Sequence, residues 1–541
     1  MDYKRIFNSD DLDIRMSRFS HLIETSGCNK NPHQFQGLYW CLQNELCTNP
    51  VLGIRGGIVA DDMGLGKTIT MIGLCFARFV RRTLIILPIA LVDQWVQQFV
   101  RLTGHKPYVC KNKNIDIEAL ENAHFVITTY STLTLVTRMK DPKLGISIEP
   151  KKLHIHLMKW DRIICDEAHH LRNCKTSRFE SIEPIKSRIK WLITGTPVQN
   201  SKKDIFNLGL FLGFPINVCN SPLGINFIVK HFIIRRTKKE VGINIPDLNV
   251  INKVVLWKND CEKNLSEELH SSLKVTGVSS VKSGVVSNHY KGIANILIVL
   301  KARQSCIMPS LLLKDFNLMY KRGLFNDNDD KMMMYCEAMR YTSKLDGVLK
   351  LISQRANNGN GKIVFCQFRG EIDEIYRRIR SIGLNVEVYD GRLSLNKRNE
   401  ILNKKLDVLI MQIQTGCEGL NLQDNYNEVY FTTPHWNPCV EDQAIARCHR
   451  IGQKKPVYVF KFQMKSFKGK KIIVLNDENE VSDNSINKKN RKTFTLDNYV
   501  VKIQDIKRDI SSQILNPADD YDIVEPPIYE VSNADISTVS Q

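Results

Sequence analysis

Two short stretches about a hundred residues apart constrain this chain more than anything else in it. Residues 60–68 read Ala-Asp-Asp-Met-Gly-Leu-Gly-Lys-Thr, and residues 163–169 read Ile-Ile-Cys-Asp-Glu-Ala-His. Gly64 and Gly66 let the backbone fold closely enough for successive N–H groups to face an anion, and a helix starting near Lys67 adds its positive end. Lys67 can reach the β/γ-phosphates of a nucleotide, and the Thr68 hydroxyl can ligate Mg²⁺. Ile163, Ile164 and Cys165 read as the end of a buried strand that delivers Asp166 and Glu167 to the same place. There Asp166 would hold Mg²⁺ through its water shell, and Glu167 would orient the attacking water. The strict phosphate-loop pattern has glycine where this chain has Asp61, and a Gly-Lys-Thr turn alone is often only a strand-to-helix connection. Paired with the apolar strand ending in Asp-Glu, it points to hydrolysis of a nucleoside triphosphate.

From Gly56 to about Phe214 the pattern is strand then helix, repeated. Apolar runs at 57–60, 84–87, 125–127, 162–165 and 191–194 each end at polar or glycine residues and are followed by stretches of helical period. Buried strands alternating with helices imply a parallel sheet with its ligand-binding loops at the strand carboxyl ends. From about 215 to 342 that order is lost, and helical stretches such as 293–305 and 332–340 take over. Alternation returns with Ile363–Phe365, Val386–Tyr389, Val408–Met411, Glu428–Phe431 and Val457–Phe460. This is a second α/β unit without a phosphate loop of its own. A polar stretch between Lys465 and Thr493 carries the basic cluster Lys488-Lys489-Asn490-Arg491-Lys492, which reads as a nuclear import signal or as a solvated linker.

With 541 residues the chain has room for two to four domains, each with its own core. Its formal net charge of +19 suits a partner that is a polyanion. The bias is uneven: residues 516–541 hold six acidic residues and no Lys or Arg, which leaves the other 515 residues at +25. Such a body favours phosphate-backbone contacts through counterion release. The fifteen cysteines are scattered, several in apolar runs, with no Cys-x-x-Cys pair. They read as reduced, buried thiols of an intracellular protein rather than as disulfides or zinc ligands. The amino terminus has no apolar signal core, and the longest apolar run, Thr83 to Val92, is broken by Pro88 and too short for a bilayer. No membrane partner is expected.

The second unit offers its own chemistry in Glu441 to Gln453. On a helix, Gln443, Arg447 and Arg450 would fall at i, i+4 and i+7 and share a face. Two guanidinium groups so placed could neutralise charge on a γ-phosphate as arginine fingers. The plainer alternative is a pair of solvated surface arginines.

Over roughly residues 30–465 the chain resembles the Swi/Snf-type ATPases of helicase superfamily two. His33-Gln34-Phe35-Gln36-Gly37 is similar to the adenine-sensing segment, with Gln34 as its glutamine. Residues 60–68 resemble the first motif, with Asp62 where Glu is usual. Gln94-Trp95 follows Leu87-Pro88 as in the next motif, and Thr128-Thr129-Tyr130 resembles a DNA-facing one. Asp166-Glu167-Ala168-His169 matches the family box, and Leu192 to Asn200 nearly completes the third motif. Arg235-Arg236-Thr237-Lys238 and Arg303-Gln304-Ser305-Cys306 match signatures of the middle segment. Lys362 to Phe368, Gly419-Leu420-Asn421-Leu422, Trp436-Asn437-Pro438 and Arg447-x-x-Arg450-Ile451-Gly452-Gln453 complete the second lobe. Thr415-Gly416-Cys417 replaces a more glycine-rich run, and His435 stands where an aromatic is common. No zinc-binding RING insert is present, and the short length is similar to compact viral members.

The resemblance implies two RecA-like α/β lobes, with a helical insert and a disordered acidic carboxyl-terminal tail. The expected division is an extension at 1–29, lobe 1 at 30–240, the insert at 241–342, lobe 2 at 343–515 and the tail at 516–541. It implies ATP and Mg²⁺ held by Gln34, Asp61, Asp62, Met63, Gly64, Leu65, Gly66, Lys67, Thr68 and Gln443, with Thr68 and Asp166 on the metal. Lys67, Asp166, Glu167, Arg447 and Arg450 would carry the catalysis, and Thr194 and Thr196 would link nucleotide state to DNA grip. The implied activity is ATP-driven translocation on double-stranded DNA in the nucleus, the host's if the protein is viral, acting on nucleosomes or the transcription machinery. A strand-separating helicase and a catalytically silent DNA-binding scaffold are the alternatives. Trp436-Asn437-Pro438 and Ile451-Gly452-Gln453 resemble translocases rather than unwinders, and the intact Lys67, Asp166, Glu167 and arginines speak against a scaffold.

Overall fold

The computed structural model describes residues 8–112, 115–135, 152–243, 245–271, 293–321, 330–416, 419–467 and 494–516. The tail from 517, the Lys488–Lys492 cluster and Cys417 lie outside them. The chain divides into two compact units, one built mainly from residues up to 241 and one from 242–510.

The first unit holds a seven-stranded sheet. Its strands are β1 (Gly56–Val59), β2 (Thr83–Leu87), β3 (Tyr108–Cys110), β4 (Phe125–Thr129), β5 (Trp160–Cys165), β6 (Ser187–Ile193) and β7 (Ile233–Ile234). They run β3-β4-β2-β5-β6-β1-β7, and every pairing is parallel. The apolar runs become strands because each is covered on both faces: β1 and β2 are buried along their whole length. Register sets the site, since Val59 pairs Ile193 and Cys165 pairs Leu192. The next residues on β1, β5 and β6 (Ala60, Asp166 and Thr194) therefore leave three adjacent strands within about one rung of each other.

Four helices frame that edge: α1 (Ser9–Thr25), α2 (Pro32–Leu46), α3 (Lys67–Ala77) and α4 (Val92–Thr103). The stretch at 1–29, set apart above as an extension, contributes Leu12, Phe19, Leu22 and Ile23 of α1 to the same core as α3 and the sheet. Gly73 lets α1 cross α3 closely, since a β-carbon there would lie 2.2 Å from Phe19 Cε2. A charged group is also built into this unit. Arg162 Nε and Nη2 reach the two oxygens of Glu45 at 2.7 and 2.6 Å, both side chains fully buried, and Trp191 Nε1 donates to Glu45 Oε1 at 2.8 Å.

The second unit holds β8 (Leu248–Val255), β9 (Lys362–Cys366), β10 (Val386–Tyr389), β11 (Val408–Gln412), β12 (Glu428–Phe431) and β13 (Val457–Met464), ordered β10-β11-β9-β12-β13-β8 and again all parallel. Alternate residues of the central strands feed two cores. Phe365, Leu409 and Val429 face one, and Val364, Ile410 and Tyr430 the other. The stretch at 241–342 is not wholly helical. Helices occupy Asp260–Ser271, Ile293–Ile307, Leu313–Lys321 and Asp330–Ala338, but β8 pairs with β13 along its full eight residues. It lies at the sheet edge, where Leu248, Val250 and Val254 are exposed, so it lacks the buried apolar run by which the other strands are recognised. Among the described residues the cysteines form no disulfide, and no helix is long and apolar enough to cross a membrane.

Candidate nucleotide site

The loop after β1 is shaped by glycines and by its neighbours. Gly64 and Gly66 have φ of +91° and +81°, a region open to glycine without strain. A β-carbon on Gly66 would lie 2.1 Å from Gln34 Nε2. From α2, His33 Nε2 bonds the Leu65 carbonyl at 2.8 Å and Gln34 Nε2 donates to it at 3.3 Å, so this helix braces the loop from one side. Gly66 caps α3, whose amino end carries Lys67 and the half-buried Thr68. Lys67 Nζ donates to the carbonyls of Asp61 and Asp62 at 2.6 and 3.1 Å. Burial lowers the pKa of its ammonium, while Glu167, Asp61, Asp166 and Asp62 pull the other way.

Asp61 and Asp62 belong to the loop through their backbones; their side chains turn elsewhere. Arg236 grips Asp61 with two bonds, Nε to Oδ1 at 3.0 Å and Nη2 to Oδ2 at 2.5 Å, and also donates to the His33 carbonyl. Asp62 Oδ2 accepts from the Lys238 N–H at 3.2 Å. Thus Arg235-Arg236-Thr237-Lys238, known above only as a signature, is the strap that holds the first residues of the loop. Met63 faces the third motif: a β-carbon on Gly195 would come within 2.9 Å of Met63 Cγ and 3.6 Å of Lys67 Nζ.

At the end of β5, Asp166 is buried with both oxygens directed. Trp95 Nε1 donates to Oδ2 at 2.7 Å and the Glu167 N–H to Oδ1 at 2.8 Å. Burial first, and then the neighbouring Glu167 charge, push the Asp166 carboxyl up to about 6, against the Trp95 bond and Lys67. Glu167 takes a left-handed backbone with φ of +50°, uncommon for a residue with a β-carbon, and its Oε2 lies 3.3 Å from His169 Nδ1. Two carboxylates crowded in a desolvated corner beside one lysine suit a divalent cation. Among the described residues no cluster of three or more His, Cys, Asp or Glu could hold a metal by itself. That donor set fits Mg²⁺, which is usually held by one or two carboxylates together with substrate phosphates.

Thr194 is fully buried and accepts the Thr196 N–H at 3.1 Å, which fixes the turn after β6. Thr128-Thr129-Tyr130 departs from expectation. All three are buried, Thr128 donates to the Cys110 carbonyl, and the Tyr130 hydroxyl donates to the Asp166 carbonyl at 2.8 Å. Their side-chain polar groups are engaged within the first unit.

The second unit corrects one geometric expectation. The helix carrying Gln443 spans Pro438–Ile445 and stops there. Arg447 and Arg450 follow in tight turns, with Arg447 N–H bonding the Ala444 carbonyl and Cys448 N–H the Ile445 carbonyl, so no continuous helical face aligns all three residues. The turn is locked by Gln453, whose buried amide nitrogen lies 3.0–3.2 Å from the carbonyls of Gln423, Tyr426 and Cys448 and shares its two N–H groups among them, behind Gly452 at φ +99°. A buried amide that closes three carbonyls is a good reason for the chain to leave the helix. Arg447 and Arg450 are still neighbours. Burial lowers the Arg450 pKa, and the Arg447 charge lowers it further; Arg450 also donates to Asn421 Oδ1. Gln443 is buried, and its Nε2 has no hydrogen-bond partner among the described residues.

Two partners escaped the sequence reading. Trp95 carried a usable signal, because a buried indole N–H needs an acceptor and Asp166 is the carboxylate at the same sheet edge. Arg303, of the Arg303-Gln304-Ser305-Cys306 signature, is a buried tie: Nη2 donates to the Pro434 carbonyl at 2.6 Å and its guanidinium lies 5.8 Å from the Trp436 ring centre. Nothing in its local sequence identifies that partner.

Residues 33–221 match the SNF2-related domain, and residues 343–452 match the helicase conserved C-terminal domain. The chain is 26% identical to the "Probable global transactivator" of Orgyia pseudotsugata multicapsid polyhedrosis virus, across 88% of this chain and 93% of that one. It is 24% identical to the "DNA repair protein RAD5B" of Arabidopsis thaliana and 27% identical to the "Chromatin remodeling factor mit1" of Schizosaccharomyces pombe, each across 82% of this chain. It spans 49% and 32% of those two proteins, which are the longer ones.

Proposed function

This chain belongs to the SNF2-related ATPases, and from that premise we propose that it is a translocase on double-stranded DNA that uses ATP hydrolysis to remodel DNA–protein complexes. The observation that carries the reading is the meeting of Lys67, Asp166, Glu167 and Thr194 at the ends of three adjacent parallel strands. The second unit, built on a parallel sheet of the same kind, carries the Arg447–Arg450 pair in the turns after the helix Pro438–Ile445. In this reading Lys67 donates to the β/γ-phosphates, and Gln34 stands beside the loop for the base. Thr68 and Asp166 hold Mg²⁺, which supplies positive charge to the phosphate oxygens. Glu167 orients water, and Arg447 and Arg450 neutralise charge developing on the γ-phosphate.

The +25 body supplies phosphate contacts without base readout, so the reading names no DNA sequence. The relatives' names "Chromatin remodeling factor" and "global transactivator" support chromatin or a transcription complex as the setting, and with that setting the reading takes nucleosomes as one substrate and the nucleus (a host nucleus for a viral protein) as the compartment.

The deciding experiment measures ATPase activity side by side with no nucleic acid, single-stranded DNA, double-stranded DNA and nucleosomes. It adds a triplex-displacement assay and a fork-unwinding assay. Duplex stimulation with triplex displacement and no unwinding is the expected result. Robust ATP-dependent strand separation would replace this reading with a helicase, and no turnover on any arm would leave a scaffold.

A further inference from the structure

The helix Leu496–Leu515 lies beyond both matched domains, yet part of it is fastened to the segment that precedes the arginine pair. Its first turns are held by packing, with Leu496, Tyr499, Val500 and Ile503 buried around Ala302 and Phe467. One turn later the contacts become polar and specific. Gln504 Nε2 donates to the His435 carbonyl at 2.5 Å and to Glu441 Oε1 at 2.7 Å. Lys507 Nζ donates to the Trp436 carbonyl at 3.0 Å, and Arg508 Nη2 reaches Asp442 Oδ1 at 3.0 Å.

Positions 504, 507 and 508 share one helical face, and their targets form one continuous stretch, 435–442. That stretch is the turn through Trp436-Asn437 and the opening of the helix Pro438–Ile445, which bears Gln443 and leads directly to Arg447. Gln504 and Glu441 are both buried, so their bond forms away from water, where leaving an acceptor unpaired is costly. Glu441 is also held by Lys461 Nζ at 2.5 Å and by the His435 N–H at 2.7 Å. The common effect of the Gln504, Lys507 and Arg508 contacts is to fix the height and tilt of the short helix that the turns bearing Arg447 and Arg450 follow.

We propose that Gln504, Lys507 and Arg508 are positioning residues for ATP hydrolysis, acting through the 435–442 segment on the aim of Arg447 and Arg450. The inference rests on the reading that those arginines serve hydrolysis. Small displacements of an aligned charge lower turnover without weakening substrate binding, on a scale of roughly 10–100-fold for shifts near 1 Å.

The test uses the full-length protein and duplex-stimulated ATPase, with kcat and KM for ATP resolved and thermal stability recorded for every variant. Arg508→Ala is expected to lower kcat about tenfold with KM for ATP unchanged, and Arg508→Lys to restore most of it. Gln504→Glu sets a second carboxylate against Glu441, among Lys461, His435 and the Asp442–Arg508 pair. Its kcat relative to wild type is expected to be low at pH 8 and to recover at pH 6, where the two carboxylates can share a proton. A helix that merely packs would give neither the lysine rescue nor the pH-dependent recovery. Unchanged kcat in both variants, or kcat losses that follow loss of folded protein and persist at pH 6, overturns the proposal. Arg447→Ala runs alongside: if it turns over like wild type, the underlying reading of the arginines has failed instead.

Discussion

Replacing Asp166 by asparagine should stabilise the protein at neutral pH while abolishing its chemistry, and the structure sets the size of the effect. The carboxyl stands at about 6 in the folded protein because it is buried beside Glu167, against about 3.9 for an aspartate in an unfolded chain. Below pH 4 both states hold the proton and the group contributes nothing. Between pH 4 and pH 6 the folded state keeps a proton that the unfolded chain has released, so stability falls as pH rises. Above pH 6 the full cost is present, about two pH units or roughly 2–3 kcal/mol.

The Asp166→Asn side chain would have no proton to lose and escapes this penalty. It also keeps only one acceptor oxygen for the Trp95 indole and the Glu167 N–H, but that loss is the same at every pH and cancels in a comparison of two pH values. Apparent Tm without nucleotide, measured for wild type and Asp166→Asn at pH 4.5 and pH 7.5, isolates the term. About 2 kcal/mol of the term develops over that range, so the variant's advantage should grow by roughly 4–8 °C, at about 2–4 °C per kcal/mol for a lobe of this size. ATP with Mg²⁺ at pH 7.5 should then raise the wild-type Tm and leave the variant little changed. A Tm difference that stays flat or shrinks as pH rises refutes the buried, metal-seeking carboxylate.

Lys67→Ala should bring ATP turnover to background, because the phosphates lose the one lysine this loop presents, whereas Glu167→Gln should bind ATP with near-normal affinity and fail to hydrolyse it; equilibrium binding and steady-state turnover separate the two. Arg447→Ala and Arg450→Ala should each lower turnover by about 10³-fold with ATP still bound, and residual turnover that simply followed lost occupancy would remove the finger role. Residues 484–496 fused to a cytoplasmic reporter should carry it into the nucleus, and continued cytoplasmic location would leave the Lys488–Lys492 cluster as a linker.

Strands buried on both faces were legible in the sequence, because burial on both sides demands an unbroken apolar run, and β1, β2, β5 and β9 each have one. The edge strand β8 was not, since six of its eight residues are exposed and Asn249, Asn252 and Lys253 interrupt its aliphatic residues. Asp166 and Glu167 could be placed because they follow such a run directly, and Lys67 because it closes the glycine loop that follows another. Arg447 and Arg450 could be paired but not oriented. Helical periodicity cannot register that the helix ends at Ile445 and that Gln453, six residues past Arg447, ties the turns beyond it to Gln423 and Tyr426. The roles of Arg236 and Arg303 were hidden for a related reason: each meets its partner across more than a hundred residues of chain, and only the fold brings them together.

Asp61 shows how one such distant contact turns a departure from pattern into a working part. A glycine at this position would leave the start of the phosphate loop free to flex, whereas a buried aspartate has to be paired or it destabilises the fold by several kcal/mol. Arg236 answers it with two parallel bonds, and the guanidinium is itself confined, because a β-carbon on Gly37 of α2 would come within 2.6 Å of it. The same arginine bonds the His33 carbonyl, while His33 and Gln34 side chains hold Leu65 from the other end of the loop. The loop is therefore fixed at both ends by groups that also hold α2, the helix that carries Gln34. Whatever shifts α2 shifts Asp61, Leu65 and the carbonyls bonded to Lys67 as one body. In a nucleotide site this means that the glutamine beside the loop and the carbonyls that hold the lysine respond to the same displacement.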